Sequence, residues 1–146
     1  MTFPADCVQV IAGQRIVFKE NNRSFCLLNA QRVVIRKVHI DGCLIPQSDR
    51  QRACDYGAWI DSQSKAYFIE LKGKNIQHAV RQIIASINFV QQNHMEECEG
   101  KALEAVIVSS KNHAPNLKQS PDYIKLKSML HQKPHIKTNY LELPLS

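Results

Sequence analysis

One stretch of the chain decides its fold, residues 54–83, which read CDYGAWIDSQSKAYFIELKGKNIQHAVRQI. Two short apolar runs, 55–60 and 66–72, lie on either side of a polar turn and predict a pair of antiparallel strands. The spacing then changes to that of an amphipathic helix over 75–93. Its apolar residues recur every three or four positions, at Ile76, Val80, Ile83, Ile87 and Val90. Two strands followed by such a helix predict a sheet with the helix packed against one face.

The segments outside this stretch extend the same sheet. A β-branched run at 103–109 follows the helix, and its place in the chain predicts a strand parallel to the one at 66–72. Local patterns also predict two N-terminal hairpins, a short helix and a weak last strand, at 14–28, 33–45, 121–131 and 136–143. The sequence therefore predicts a mixed α/β fold, with a central mixed sheet, a long amphipathic helix packed on it and N-terminal β-hairpins.

Length and composition indicate one folded domain. The chain has 146 residues, of which 44% are apolar, so it can form a packed core within a single domain of residues 1–146. No apolar run reaches the roughly 18 residues of a membrane helix. The start MTFPADCVQV also lacks the basic and apolar regions of a signal peptide. We therefore expect a cytoplasmic protein without a membrane partner.

The cysteines show no sign of a metal site or a disulfide framework. There are five, an odd number, and they are spread along the chain without a Cys-x-x-Cys pair: Cys7, Cys26, Cys43, Cys54 and Cys98. Such spacing is typical of reduced thiols in a cytoplasmic protein. We expect all five to be free.

Basic residues concentrate near the C-terminus. The net charge is 19 − 13 = +6, and residues 111–137 contain six Lys against the single acid Asp122, which gives 6 − 1 = +5 locally. A region this basic suits a polyanionic partner such as nucleic acid. The alternative, lysines that only keep a surface solvated, remains open.

Three residues carry the chemistry that the sequence suggests. Asp55 begins the first strand of the predicted pair, and Glu70 and Lys72 end the second. Residues two apart in a strand project from the same face, so Glu70 and Lys72 are expected to lie together. An antiparallel pairing brings Asp55 beside Glu70. The ordinary alternative is a surface ion pair between Glu70 and Lys72, with Asp55 as a turn residue.

This grouping suits a Mg²⁺ site, in which Mn²⁺ can substitute. The carboxylates of Asp55 and Glu70, together with the main-chain carbonyl of Leu71, offer the hard oxygen ligands that Mg²⁺ takes. The ion polarises a phosphodiester and lowers the pKa of a bound water, while Lys72 orients that water or stabilises charge on the phosphorane. The sequence therefore predicts hydrolysis of a nucleic-acid backbone.

The order of these features resembles the PD-(D/E)XK nuclease superfamily, which has the restriction-endonuclease-like fold. The resemblance covers about residues 33–110, and the segment 54–83 is similar to small stand-alone members. Among these are archaeal Holliday-junction resolvases and uncharacterised bacterial nucleases. The resemblance implies that Asp55 and Glu70 bind the metal and that Lys72 is the catalytic lysine. The basic C-terminal region, 111–146, has no counterpart in it.

Other positions match the superfamily less well. Cys54 takes the place of the motif's proline, and Glu20 is the nearest candidate for the additional acid that members often supply. Gln82 is similar in place to the glutamine that RecB-like members direct toward the site, although Ser86 stands where a tyrosine is expected. Glu20 and Gln82 are therefore candidates for additional site residues.

These inferences combine into one functional hypothesis, a Mg²⁺-dependent DNA endonuclease, with RNA as a second candidate substrate. A symmetric homodimer is expected, because a small domain holds one catalytic centre and a duplex has two strands. The alternative is a catalytically silent nucleic-acid-binding or accessory subunit with the same fold. The binding surface is expected to use basic residues near the site and near the C-terminus: Lys74, Arg81, Lys118, Lys125 and Lys127.

Overall fold

The computed structural model describes residues 2–47, 52–71, 75–110 and 115–145. These residues form nine strands, which are β1 Val8–Ile11, β2 Arg15–Glu20, β3 Arg23–Leu28, β4 Ile35–His39, β5 Tyr56–Ile60, β6 Lys65–Glu70, β7 Ala102–Ser109, β8 His135–Thr138 and β9 Tyr140–Pro144. They also form three α-helices, which are α1 Ile76–Asn93, α2 Met95–Cys98 and α3 Pro121–Met129. In these described parts of the chain, no helix has the length and apolarity that crossing a membrane requires.

Six strands form the central sheet, in the order β1-β4-β5-β6-β7-β8. The pairs β1–β4, β4–β5 and β5–β6 are antiparallel, whereas β6, β7 and β8 are parallel. The parallel step from β6 to β7 requires a crossover connection, and α1 lies within it. The predicted mixed α/β fold, with a long helix on a mixed sheet, is therefore confirmed.

Helix α1 forms where the apolar spacing predicts it. Asn75 caps its first turn, because the Asn75 side chain accepts a hydrogen bond from the His78 N–H at 3.2 Å. The apolar stripe of the helix is buried against one face of the sheet, where Val80 and Ile83 share a core with Phe68 of β6. Most of the helix's stability therefore comes from this buried face.

A second sheet covers the opposite face of the central sheet. It has three strands in the order β2-β3-β9, with β2 and β3 paired as the predicted hairpin and β9 parallel to β3. Phe18 and Phe25 from this sheet share a core with Tyr67 and Ile69 of β6. Because successive residues of β6 alternate between the two cores, the molecule has three layers: helices, a six-stranded sheet and a three-stranded sheet.

Two regions differ from the prediction because distant segments pair there. The predicted hairpin at 33–45 is replaced by a tight turn at Gly42 (φ +86), which is closed by one bridge between Asp41 and Ile45. Strand β4 instead pairs with β1, which local patterns did not indicate. The predicted last strand is divided at Asn139 (φ +66) into β8 and β9, which belong to different sheets.

The expectation of five free thiols is wrong. Cys7 and Cys43 form a disulfide, with an S–S distance of 2.03 Å. Pairing of β1 with β4 brings these two residues, 36 apart in the sequence, to a Cα–Cα distance of 5.7 Å, which a disulfide can span. Cys26, Cys54 and Cys98 are free thiols.

Candidate active site

The adjoining ends of β5 and β6 bring Asp55 and Glu70 together. Tyr56 is paired with Ile69 across these antiparallel strands, so the next row of the register has Asp55 beside Glu70. The Asp55 Oδ2 atom accepts a hydrogen bond from the Leu71 N–H at 2.7 Å. The antiparallel pairing predicted from the sequence is confirmed, and its register is the one that the candidate site requires.

Both acidic residues are buried. Asp55 is 2% and Glu70 is 1% exposed, which is rare for acidic residues. Their charges act on a common neighbour, the Cys54 thiol, whose pKa is raised mainly by burial and further by Glu70 and Asp55. The two carboxylates therefore lie close to one point in a dry part of the protein, where their influence on a cation or a water is strong.

Alternation along β6 decides which layer Glu70 faces. Phe68 is packed in the core under α1, whereas Ile69 and Leu71 are packed in the core between the two sheets. Glu70 therefore projects toward the helical layer. Lys72 and Lys74 lie outside the residues that the structure describes, so their expected roles stay predictions.

Helix α1 holds the segment that leads into Asp55. The Gln82 Nε2 atom donates a hydrogen bond to the Ala53 carbonyl at 3.3 Å. Ser86 Oγ accepts one from the Cys54 N–H at 2.8 Å and donates one to the Gln82 carbonyl at 3.0 Å. Gln82 and Ser86 therefore position the backbone immediately before Asp55. Ser86 has this role at the position where the resemblance to the superfamily predicted a tyrosine, and its i+4 spacing from Gln82 is the local sequence signal for it.

The β2–β3 hairpin reaches the same end of the central sheet. The Arg23 Nη1 atom lies 3.4 Å from the Leu71 carbonyl oxygen, to which it donates a long hydrogen bond. Glu20 Oε1 lies 3.5 Å from the Tyr56 hydroxyl, which places Glu20 beside the residue that follows Asp55. Arg23 was not predicted at this site, because only the stacking of the second sheet on the first brings it there.

The described basic candidates lie on the surface of the helical layer and its neighbouring loop. Arg81 of α1 forms an ion pair with Asp122 of α3, with Nε and Oδ2 2.7 Å apart, and both side chains are partly exposed. Lys118 lies in the 3-10 helix Leu117–Gln119, and Lys125 and Lys127 lie on α3, all exposed. Arg81 is thus already paired with an acid, whereas the three lysines belong to the basic C-terminal region.

Oxygen ligands for a hard cation are present at this site. Within the described residues there is no group of three or more His, Cys, Asp or Glu side chains arranged for a metal. Two carboxyl residues, Asp55 and Glu70, lie in one row of the register next to Leu71, and Mg²⁺ commonly takes only one or two protein carboxylates and completes its shell with water and phosphate. The donor types therefore fit Mg²⁺, and they do not resemble the Cys and His sets of softer metals.

Comparison with known proteins returns no relative from which a role could be transferred. The chain matches no family model, no curated protein and no solved structure. The site is therefore interpreted from its own residues and geometry.

Proposed function

We propose that the chain is a Mg²⁺-dependent endonuclease that hydrolyses phosphodiester bonds in DNA, as the resemblance to PD-(D/E)XK nucleases implies. One observation carries the proposal. The register of β5 and β6 puts two buried carboxyl residues, Asp55 and Glu70, side by side where the strands adjoin. In the sequence, Glu70 is followed two residues later by Lys72. Burying an acidic side chain costs free energy. Two buried acids side by side therefore mark a candidate functional site.

The metal would be held by Asp55, Glu70 and the Leu71 carbonyl, and Mn²⁺ is expected to substitute for Mg²⁺. When bound, the ion supplies Lewis-acid polarisation of the phosphodiester and a more acidic water. A divalent cation held by both carboxylates would offset the repulsion between their negative charges. The Leu71 N–H fixes Asp55 through its hydrogen bond, so at least one ligand is held in place by the strand itself.

Lys72 is assigned the remaining chemical role. It is the second residue after Glu70 in the sequence, and an extended chain beyond the end of β6 would put it on the same face as Glu70, which stays an expectation from the sequence. An ammonium at that position would orient the attacking water and stabilise negative charge on the phosphorane. Lys72 is therefore the residue whose replacement should remove turnover with the least effect on metal binding.

The DNA would be bound by basic residues around the helical layer. Lys118, Lys125 and Lys127 belong to a region with a local charge of +5 in residues 111–137. Together with Arg81 and Lys74 they would release counterions from the phosphate backbone. Cutting both strands of a duplex calls for two catalytic centres, so the proposal includes a symmetric homodimer.

One observation favours the alternative, a catalytically silent nucleic-acid-binding or accessory subunit. The Arg23 guanidinium lies 3.4 Å from the Leu71 carbonyl oxygen, one of the three expected metal ligands. A cationic group at that position competes with a metal for the same oxygen. The two functions therefore differ in whether Arg23 moves aside when Mg²⁺ is present.

The test is a cleavage assay on supercoiled plasmid, linear duplex, branched junction, single-stranded DNA and RNA, with Mg²⁺, Mn²⁺ or EDTA. The parent chain should cut at least one DNA substrate with either metal and none in EDTA. Glu70→Gln and Lys72→Ala should not cut. Glu104→Gln is the matched control, because Glu104 is also a buried glutamate, 3% exposed, but lies near the start of β7, at the other end of the sheet.

The outcomes separate the two functions. Metal-dependent cutting that Glu70→Gln loses and Glu104→Gln retains supports the endonuclease and identifies its substrate. DNA binding without cutting by the parent chain, under every metal condition, contradicts the endonuclease and supports the silent subunit. Circular dichroism of each variant establishes that a lost activity does not reflect a lost fold.

A further inference from the structure

A concave site lies at the same end of the central sheet as Asp55 and Glu70, on the face opposite to Glu70. It is a cavity of about 300 Å³. Its wall comes from the 3-10 helix Ala5–Cys7, the start of β1, the end of β4 and the start of β5. Its lining includes Asp6, Cys7, Gln9, Lys37, His39 and Tyr56.

Two aromatic rings form one side of the cavity. His39 and Tyr56 are paired across β4 and β5, and their rings are stacked, with centroids 5.6 Å apart and planes at 29°. His39 is exposed, and Tyr56 is partly buried beneath the second sheet. Tyr56 is adjacent in the chain to Asp55, so the rings lie one row of the register away from the candidate metal ligands.

Polar groups complete the wall. The Lys37 Nζ atom donates a hydrogen bond to the Val17 carbonyl at 2.8 Å and lies 5.4 Å from the centre of the Tyr56 ring. Lys37 is half-buried, and burial lowers the pKa of its ammonium. Gln9 and Asp6 are exposed and add an amide and a carboxylate. The cavity therefore combines a stacking surface with hydrogen-bond donors and acceptors.

The disulfide fixes one edge of this cavity. Cys7 lines the wall and is bonded to Cys43, which lies just beyond the end of β4. The side contributed by β1 is therefore held covalently to the side contributed by β4, on which His39 lies. A wall held in this way is preorganised, which reduces the entropy lost when a ligand binds.

We propose that this cavity binds a single base of a nucleic-acid strand, one that is extrahelical or single-stranded, stacked on the exposed His39 ring, which the Tyr56 ring supports from its other side. The nucleic-acid class of the ligand rests on the proposed function. Every base has a π face that stacks on aromatic side chains, and the edge of a base is recognised by groups such as the Gln9 amide, the Asp6 carboxylate and the Lys37 ammonium. A cavity at the lower end of the ~300–1,000 Å³ range of small-molecule sites is large enough for one base.

The consequence is a preference for DNA that is not perfectly paired next to the cleavage point. The cavity and the two carboxylates lie on opposite faces but at the same end of the central sheet, so a strand that passes around this end would present a base to the cavity and a phosphodiester to Asp55 and Glu70. Branched junctions, bulges and single strands supply such a base at low cost, whereas a perfect duplex must first unstack one. The cavity would thus act in substrate selection rather than in bond cleavage.

The experiment measures affinity by fluorescence anisotropy in EDTA, where no cleavage occurs. The labelled probes are a perfect DNA duplex, the same duplex with one bulged base, and one of its strands alone. His39→Ala and Gln9→Ala remove the stacking ring and the amide. His131→Ala is the matched control, because His131 is exposed and lies at the opposite end of the sheet. Its backbone N–H donates a hydrogen bond to the Leu103 carbonyl there.

The parent chain should bind the bulged duplex and the single strand more tightly than the perfect duplex. His39→Ala should weaken binding of those two probes about tenfold, or about 1.4 kcal/mol, within the range for stacking of a base on an aromatic side chain. Gln9→Ala should give a smaller loss in the same direction. Affinity for the perfect duplex should change less than about twofold, and His131→Ala should match the parent on all three probes.

Several results would overturn this inference. They are equal affinity of the parent chain for all three probes, no binding to any of them, or His39→Ala and Gln9→Ala variants that bind like the parent. Because binding is read without turnover, a chain that cuts DNA but shows no effect of His39→Ala retains the proposed function and loses the base site. A chain that does not cut but binds the bulged base through His39 loses the endonuclease activity and keeps the site.

Discussion

At the scale of the residue, Asp55 combines a structural role with the proposed chemical one. Its Oδ2 atom accepts the Leu71 N–H, and its own carbonyl accepts the Ile40 N–H at 3.1 Å. Asp55 therefore links the ends of β4 and β6 to the start of β5 by hydrogen bonds. Stability and activity depend on different properties of this carboxyl group, since the hydrogen bond needs an acceptor oxygen and the metal needs a charge.

Two substitutions of Asp55 should separate these properties. Asp55→Asn retains an acceptor for the Leu71 N–H, so it should fold with little loss of stability but show no metal-dependent cleavage. Asp55→Ala leaves a buried donor without that acceptor, which costs about 1–3 kcal/mol. Urea denaturation followed by circular dichroism measures the stability of both variants, and the cleavage assay with Mg²⁺ measures their activity. Equal stability of the two variants would mean that the hydrogen bond contributes nothing, and cleavage by Asp55→Asn would remove Asp55 from the metal site.

At the scale of the element, local patterns predicted what depends on neighbours in the sequence. Helix α1 and strands β5 and β6 have strong periodicity and short connections, so these elements and the Asp55–Glu70 row follow from residues 54–93, although β6 ends at Glu70, two residues before the predicted end. Strand β1, the Cys7–Cys43 bond and the place of Arg23 depend on pairing between segments far apart in the chain. Such pairing has no local signature, because it is selected by how the two sheets stack.

The contact between α1 and the segment before β5 can be tested at Ser86. Ser86→Ala removes the acceptor of the buried Cys54 N–H and should lower the free energy of unfolding by about 1–3 kcal/mol. Ser128→Ala is the matched control, because the Ser128 hydroxyl donates to the Lys125 carbonyl on the exposed side of α3. Thermal denaturation of both variants measures the difference. Equal melting temperatures would show that the Ser86 hydroxyl does not anchor this segment.

A charged cluster at the far end of the sheet should make stability depend on pH. Arg36 forms ion pairs with Glu97 and Asp61, at 2.7 Å in each case, and its hydrogen bonds lower the pKa of both acids. Acids with lowered pKa values stabilise the fold above their unfolded pKa of about 4. This stabilisation is lost as the pH falls through the lower, folded values. Stability should therefore decrease on acidification below about pH 4.5.

Arg36→Met tests this origin of the pH dependence. At neutral pH it leaves Glu97, 6% exposed, as a buried charge without its main partner, and the loss of this hydrogen-bonded pair should cost about 1.5–3 kcal/mol. The difference from the parent should narrow toward pH 3, where Glu97 binds a proton. Arg15→Met, which breaks an exposed pair with Glu142, is the control and should change stability less. A constant difference at all pH values would contradict the assignment.

At the scale of the whole molecule, the disulfide joins the edge strand β1 to the turn after β4. It closes a loop with a sequence separation of 36 residues, and a loop of that size should stabilise the fold by about 3–4 kcal/mol. Cys7→Ser with Cys43→Ser should therefore lower the melting temperature, and dithiothreitol should lower that of the parent to the same value. Cys98→Ser is the control and should retain the response to dithiothreitol. A melting temperature of the parent that does not change with dithiothreitol would contradict the expected stabilisation by the disulfide.

The distribution of charge over the molecule predicts which layer contacts DNA. Lys125 and Lys127 are exposed on α3, within the basic C-terminal region. On the other layer, Lys19 is exposed on β2 and Arg32 is exposed in the loop after β3. If DNA contacts the helical layer, Lys125→Gln with Lys127→Gln should weaken binding and reduce the slope of log affinity against log salt by up to about 1.8, or about 0.9 for each lost phosphate contact. Lys19→Gln with Arg32→Gln removes the same charge and should leave the slope near that of the parent. Titrations of one labelled DNA at several salt concentrations measure both slopes. Equal changes in the two variants would mean that net charge alone attracts DNA, and a change confined to Lys19→Gln with Arg32→Gln would place the DNA on the opposite layer.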